Sequence, residues 1–332
     1  MNLQFTLKIG EYMVRVIIPA YKAKDTLPKA LDSLVAQTKS MFLVTIVQDC
    51  DGEDYTEIID KYIDEGLHIT LIQNEENLGP GLSRQRAIDA DTMCDYLMFL
   101  DADDMLLPNA IETLYMEAKR TDADMIISDF LAERAYQPLT IMKSESTPVT
   151  WFHGKIYKAT YLRNNNIRFH PDLRLNEDAY FNLVAVNNSD KVGRISIPTY
   201  LWRDNPHSLT RDKDQPSFFD RSWKQYVLGQ IAALLKLVEL KGKVNTTVTA
   251  LTLKNIYEHI MIALYYHFDI NIPELKQLGQ NEVLQTVFKS EEFWMILQDN
   301  LKTCQKIDTS LVFYRQRFCD WFSEYVMEGF VQ

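Results

Sequence analysis

The stretch Tyr96-Leu97-Met98-Phe99-Leu100-Asp101-Ala102-Asp103-Asp104 decides the fold. An apolar run meets three carboxylates within four positions. The run has the length of a buried strand and is too short to cross a membrane. The carboxylates then stand at the strand's carboxyl end, where open α/β sheets place their ligands. Aspartates at one strand tip repel each other. A divalent cation removes the repulsion, hard oxygen ligands suit Mg²⁺ or Mn²⁺, and such a cation grips phosphate. The competing reading is a solvated acidic turn that caps a helix starting near Pro108.

Outward from this stretch, the chain alternates. Val14 to Ile18 is an apolar run closed by Pro19, a buried strand stopped by proline. From Thr26, Leu27, Leu31, Leu34 and Val35 recur at helical spacing, with Asp25 as the expected cap. Strands are expected over Phe42 to Val47, Ile69 to Ile72 and Met125 to Ser128. Helices are expected over Thr56 to Tyr62, Leu82 to Ala90 and Pro108 to Lys119. This alternation predicts a mostly parallel central sheet with helices on both faces. Right-handed crossovers bring the strand tips to one edge. Pro19 to Tyr21, Asp49 to Asp54 and Asp101 to Asp104 would then meet there as one site. Trp151 to Asp214 is more irregular, and the chain reads as helical from about Phe218. Ile231, Leu234, Leu235, Leu237 and Val238 form one apolar stripe, and Ile256, Ile260, Ala263 and Leu264 another.

Composition narrows the class. Of 332 residues, 46% are hydrophobic and 24% charged, which suits a large globular core. The net charge of −11 does not favour sequence-blind attraction to nucleic acid or anionic lipid. Cys50, Cys94, Cys304 and Cys319 form no CxxC pair, so neither a disulfide framework nor a zinc site is suggested. A reducing cytosol is the expected compartment. Met1 to Tyr12 lacks the apolar core of a signal peptide.

The chain resembles family-2 glycosyltransferases. Val16-Ile17-Ile18-Pro19-Ala20-Tyr21 looks like the family's opening strand and turn. Val47-Gln48-Asp49-Cys50-Asp51-Gly52-Glu53-Asp54 is similar to its base-holding turn. Asn77-Leu78-Gly79-Pro80-Gly81-Leu82-Ser83-Arg84-Gln85-Arg86 looks like its Asn-x-Gly loop and following helix. Asp101-Ala102-Asp103 fits its metal-binding Asp-x-Asp. The likeness runs on through Gly154-Lys155-Ile156-Tyr157 and Asn165-Asn166-Ile167-Arg168-Phe169. Asn176-Glu177-Asp178-Ala179-Tyr180-Phe181 resembles the base motif, and Tyr200-Leu201-Trp202-Arg203 with His207-Ser208-Leu209-Thr210 the closing segment. It covers about Val14 to Arg211. Gln48 and Gln85 depart from the family's aspartate and asparagine but keep hydrogen-bonding capacity.

The resemblance implies a Rossmann-like GT-A nucleotide-sugar-binding domain over 1–214, and the apolar stripes beyond it are expected to form a helical C-terminal region over 215–332. The donor half would run from about 14 to 130 and the acceptor half from 131 to 214. The implied activity is inverting, metal-dependent sugar transfer from a nucleotide sugar, most simply a UDP-sugar, to a hydroxyl of a glycan or surface polysaccharide. Sugar transfer needs a cation on the leaving diphosphate and a base for the acceptor proton. Asp103 is the first expected ligand for Mn²⁺ or Mg²⁺, with Asp101 on ribose or metal and His207 as a further ligand. Asp178 is the expected base and Glu177 its orienting neighbour. Pro19, Ala20, Tyr21, Asp49, Asp51, Arg84, Asp101, Ala102 and Arg203 are expected around the nucleotide sugar, with Asp49 accepting from a uracil N–H and Arg203 on the diphosphate. Arg84 and Arg86, two apart at a helix start, cannot point the same way, and Arg86 is expected in solvent or a salt bridge. Trp151 and Trp202 are candidates for stacking on an acceptor sugar or for the core.

Each reading has a bland counterpart: turn aspartates for Asp49, a helix cap for Glu177 and Asp178, a surface histidine for His207. The segment Leu311 to Phe330 carries an aromatic stripe that would dock on its own protein, with a homodimer or the inner face of a membrane as alternatives. Two other functions stay open at this level. In a haloacid-dehalogenase-like phosphatase, Asp101 would be nucleophile and Asp103 acid, although that family usually has Thr or Val where Met105 stands. A sugar-binding protein with a dead site is the other, against which the intact Asp101, Asp103 and Asp178 speak.

Overall fold

The computed structural model describes residues 14–38, 42–90, 94–134, 137–145, 149–206, 208, 216–301 and 317–327. Two compact units divide at Asp214 and Gln215.

The first unit is built on one sheet. Its first half alternates strand and helix: β1 (Val14–Ala20), α1 (Leu27–Val35), β2 (Phe42–Gln48), α2 (Thr56–Asp64), β3 (Ile69–Gln73), α3 (Gly79–Ala90) and β4 (Tyr96–Phe99). The second half holds β5 (Met105–Leu106), α4 (Ala110–Thr121), β6 (Met125–Ala132), β7 (Thr140–Met142), β8 (Lys155–Lys158), α5 (Ala159–Asn164), α6 (Glu177–Asn188) and β9 (Val192–Trp202). The strand order is β3-β2-β1-β4-β8-β6-β9-β5, with β7 paired to β6. β1 to β4 pair in parallel, as do β6 and β9; β8, β5 and β7 run against their neighbours. Central β2 is buried at every position, as a parallel strand covered on both faces must be.

Four local expectations need correction. β1 does not stop at Pro19 but pairs through Ala20 with Gln48. Leu100 N–H donates to Ile17 O, so residues 17 and 19 both face β4. β4 leaves the ladder after Phe99, and the N–H that Pro19 lacks has no strand to meet there. Thr26, not Asp25, precedes α1, with its hydroxyl turned back onto Ala23 O. After the acidic turn the chain forms β5 against Leu201 and Tyr200 before α4 starts at Ala110, behind Pro108. Leu264 is 46% exposed, outside the buried stripe expected for it.

The second unit is helical: α7 (Phe218–Lys241), α8 (Thr246–Tyr265), α9 (Leu275–Gln280), α10 (Glu282–Phe288) and α11 (Glu291–Leu301), then a π-helical turn Phe322–Val326. Ser217 and Asn245 cap α7 and α8 with side-chain oxygens. Phe318, Trp321, Phe322 and Val326 pack into this unit's core with Trp223, Ile256 and Phe293. Of the expected docking stripe, Phe318, Trp321 and Phe322 are buried in their own unit, Tyr325 is 36% exposed, and Leu311 and Tyr314 lie outside the described residues. No helix among the described residues is long and apolar enough to cross a membrane.

Candidate active site

The parallel register brings the tips of β1, β2 and β4 together, and the turns after them interlock. Asp49 N–H donates to Ala20 O at 2.9 Å, and Lys22 N–H to Asp51 Oδ2 at 2.7 Å. Cys50 and Gly52 both adopt positive φ, which curls the turn so that Asp51 points back. Asp51 Oδ1 accepts from Gln48 Nε2 and Glu53 N–H, and Oδ2 also from Tyr55 O–H. Burial alone would raise the Asp51 carboxyl, but these four bonds outweigh it and hold it below the usual range.

Asp49 is 3% exposed, and its carboxylate is taken up by the chain itself. Oδ1 accepts from Asn74 Nδ2 and Leu78 N–H, both at 2.7 Å, and Oδ2 from Gly79 N–H at 2.8 Å. An anion thus meets the open amides at the start of α3, where the helix dipole favours it. The aspartate expected on a base N–H also braces the loop that leads into α3. Tyr21 is 49% exposed at the same edge, with Pro19 and the buried Ala20 behind it.

α3 carries the connection to the acidic turn. Asn74 Nδ2 reaches Ser83 Oγ, and next along the helix Arg84 is buried. Its guanidinium lies 4.5 Å from the Phe152 ring centroid and donates to Asp101 Oδ1 at 2.5 Å and to Glu177 Oε1 at 2.9 Å. Burial would weaken its charge, but Asp101 and Glu177 more than compensate and raise its pKa. Arg86 points away, onto Gln73 O and Asn74 Oδ1. Gln85 ties α3 to the segment between α5 and α6 by accepting Phe169 N–H at 3.0 Å.

Glu177 and Asp178 open α6. Burial raises both carboxyls. For Asp178 the Glu177 charge adds to burial, Arg84 and the Ala179 N–H oppose, and the group is pushed up to about 8.

The acidic turn gathers residues far apart in sequence. Asp104 is buried, accepting Tyr200 O–H at 2.7 Å and Arg203 N–H at 2.8 Å. Asp103 Oδ2 accepts Asn205 Nδ2 at 2.9 Å. Ala102, between Asp101 and Asp103 in the chain, is buried. Arg203 Nε lies 4.0 Å from Glu133 Oε2. Burial, with the charges of Asp101 and Asp103, lifts the Asp104 carboxyl well above its ordinary value. Ligand atoms of Asp101, Asp104 and His153 all lie within 4.8 Å of one another. Two carboxylate oxygens and an imidazole, at a place where carboxylates repel, form a donor set for a divalent cation. His153 was not expected here; it stands 3.9 Å from Asp104 and is stacked on Trp202 at 5.4 Å. Trp151 and Trp202 lie 5.8 Å apart and are both partly exposed. His207, the expected ligand, lies outside the described residues.

The family profile described as Glycosyl transferase family 2 matches residues 15–173. The uncharacterized glycosyltransferase EpsJ of Bacillus subtilis (strain 168) is 26% identical over 234 residues, 64% of this chain and 67% of that protein. The poly(ribitol-phosphate) beta-N-acetylglucosaminyltransferase TarS of Staphylococcus aureus (strain MW2) is 25% identical over 62% of this chain, but over only 38% of its own length. The solved S. aureus TarS 1-349 in complex with UDP-GlcNAc matches with a TM-score of 0.67 over 93% of this chain and 88% of that one, at 16% identity. At that identity the structural likeness speaks for the fold.

Proposed function

Since residues 15–173 belong to glycosyl transferase family 2 and the chain is a glycosyltransferase, we propose that it is an inverting, metal-dependent enzyme moving a sugar from a UDP-sugar to a hydroxyl of a glycan. The observation that carries this reading is the Arg84 bridge, which joins the acidic turn at Asp101 to the helix bearing the raised carboxylate at Glu177. UDP is favoured because the relative TarS is named a beta-N-acetylglucosaminyltransferase and its solved structure holds UDP-GlcNAc. Poly(ribitol-phosphate), named in the same relative, makes a polyol phosphate or surface polysaccharide the natural acceptor class. Residues 14–130 serve as donor half, 131–214 as acceptor half, and 215–332 as an accessory helical region. The protein works at the cytosolic side, in solution or against the membrane, and self-association through its helices is a further role for that region.

Asp178 takes the acceptor hydroxyl proton as the acceptor oxygen bonds to the anomeric carbon. The carbon–oxygen bond to the diphosphate breaks on the opposite side, and its electron pair leaves with UDP. This single displacement inverts the sugar. Arg84 holds Glu177 and Asp101 at fixed separation, so Asp178 and the donor keep their alignment. Asp101, Asp103, Asp104 and His153 would hold Mn²⁺ or Mg²⁺, which stabilises charge on the leaving diphosphate. Tyr21, Ala20 and Asp51 flank the base, Asp49 holds the Leu78–Gly79 loop beside it, and Arg203 serves the diphosphate. Titration of UDP with and without Mn²⁺ tests the reading. Wild type should bind more tightly with the ion, Asp103→Asn should lose that gain, and UDP affinity that ignores Mn²⁺ would refute metal dependence.

A further inference from the structure

The turn that carries His153 is held by its carbonyls. Asn182 Nδ2, on α6, donates to Thr150 O at 2.8 Å. Lys155 Nζ, on β8, donates to Trp151 O and, at 3.4 Å, to His153 O. Both side chains are buried, Asn182 at 0% exposure and Lys155 at 4%. Asn182 also accepts Tyr157 O–H at 2.6 Å, and Tyr157 shares a strand face with Lys155. Gly154 stands between histidine and lysine at φ +63, where a Cβ would meet Ser128 Oγ at 2.4 Å. The backbone therefore reverses tightly at this point.

Lys155 is costly where it stands. Lys155 Nζ donates to the carbonyls of Trp151 and His153, and the Asp178 carboxylate acts on it electrostatically from farther off. A buried amine held by carbonyls is costly, and a methylene chain of the same length would pack there more cheaply. What the ammonium secures is the turn. That turn sets the depth of His153, whose ring is wedged 4.8 Å from Tyr200 and 5.4 Å from Trp202, with Nε2 turned to Asp104.

We propose that Lys155 is a positioning residue, acting with Asn182 to clamp the Thr150–His153 carbonyls and so hold the imidazole beside Asp101 and Asp104 for a divalent cation. This rests on the metal reading above. It assigns Lys155 no contact with substrate. Outer partners of metal ligands commonly contribute about 10–100-fold in metal affinity.

The experiment titrates UDP into the full chain with and without Mn²⁺, for wild type, Lys155→Met, Asn182→Leu and the double variant, with thermal unfolding to confirm each fold. UDP affinity without Mn²⁺ should stay at the wild-type value in all four. The Mn²⁺-dependent gain should fall about 10–100-fold in either single variant. The double variant should lose little more than the larger single loss, because both clamps act on one turn. If Lys155→Met does not fold, Asn182→Leu reads the same turn from α6. A folded variant with the full wild-type gain overturns the positioning role while leaving the metal reading intact. A wild type that binds UDP equally with and without Mn²⁺ overturns both.

Discussion

Asp178 is a carboxyl whose surroundings favour the protonated form. Burial comes first and the Glu177 charge second; Arg84 and the Ala179 N–H oppose without cancelling them, and the group stands at about 8. A base must lose its proton before it can act, so transfer should rise with pH through that value. The acid limb of kcat/KM is expected near pH 8, not near the ~4 of a solvated aspartate. Glu177→Gln removes a neighbouring negative charge and should move the limb to lower pH. Asp178→Asn should remove the limb and slow single-turnover transfer by about 10²–10⁴-fold. A wild-type limb near 4, or an undiminished rate in Asp178→Asn, places the base elsewhere. Asp49 is a contrasting residue. Its carboxylate is more deeply buried than the half-buried Asp178, accepts from three donors and holds a loop.

At the scale of elements, α3 is the part on which the site turns. Its amides receive Asp49, its Ser83 meets Asn74, and its Arg84 spans to α6. The two helices touch at Gly81, where an added Cβ would lie 2.7 Å from Glu177 Cγ and 3.2 Å from Phe169. Alanine within a helix normally gains about 0.5–1 kcal/mol over glycine. Here the clash falls near the root of the Glu177 side chain and should win. Gly81→Ala is expected to destabilise by about 1–3 kcal/mol, the scale of overpacking. Denaturant melts measure this, and transfer should fall as well because Glu177 is displaced from Arg84. A stabilised variant with full activity would mean that α3 and α6 move apart freely.

At the scale of the whole molecule, each of the two units has a hydrophobic core of its own. Every residue assigned to donor, metal or base lies in the first. A fragment of residues 1–214 should therefore fold and retain Mn²⁺-dependent UDP binding within about tenfold of the full chain, or ~1.4 kcal/mol. Circular dichroism and the same titration test this. A fragment that folds but binds UDP more than about a hundredfold weaker (~2.7 kcal/mol) would give the helical unit a part in donor binding.

The sequence by itself determined what depends on near neighbours. Apolar runs ended by polar tips marked β1, β2, β3 and β4 within two residues, because strands of a covered parallel sheet are mostly apolar, although Arg15, Thr45 and Thr70 interrupt them. The acidic turn and the Asn176–Asp178 run were legible for the same reason, each being continuous in the chain, and their order carried the family. Tertiary structure alone decided which side chains meet. His153 reaches Asp104 from 49 positions away, Tyr200 from 96, and Arg84 reaches Glu177 across 93. No periodicity spans such gaps; the crossing of β4, β8, β6 and β9 in one sheet closes them. Asp49 shows the same limit from the other side. Its place at a strand tip was readable, but its partners at Leu78 and Gly79 come from the loop before α3, and a carboxylate's role is set by the donors around it.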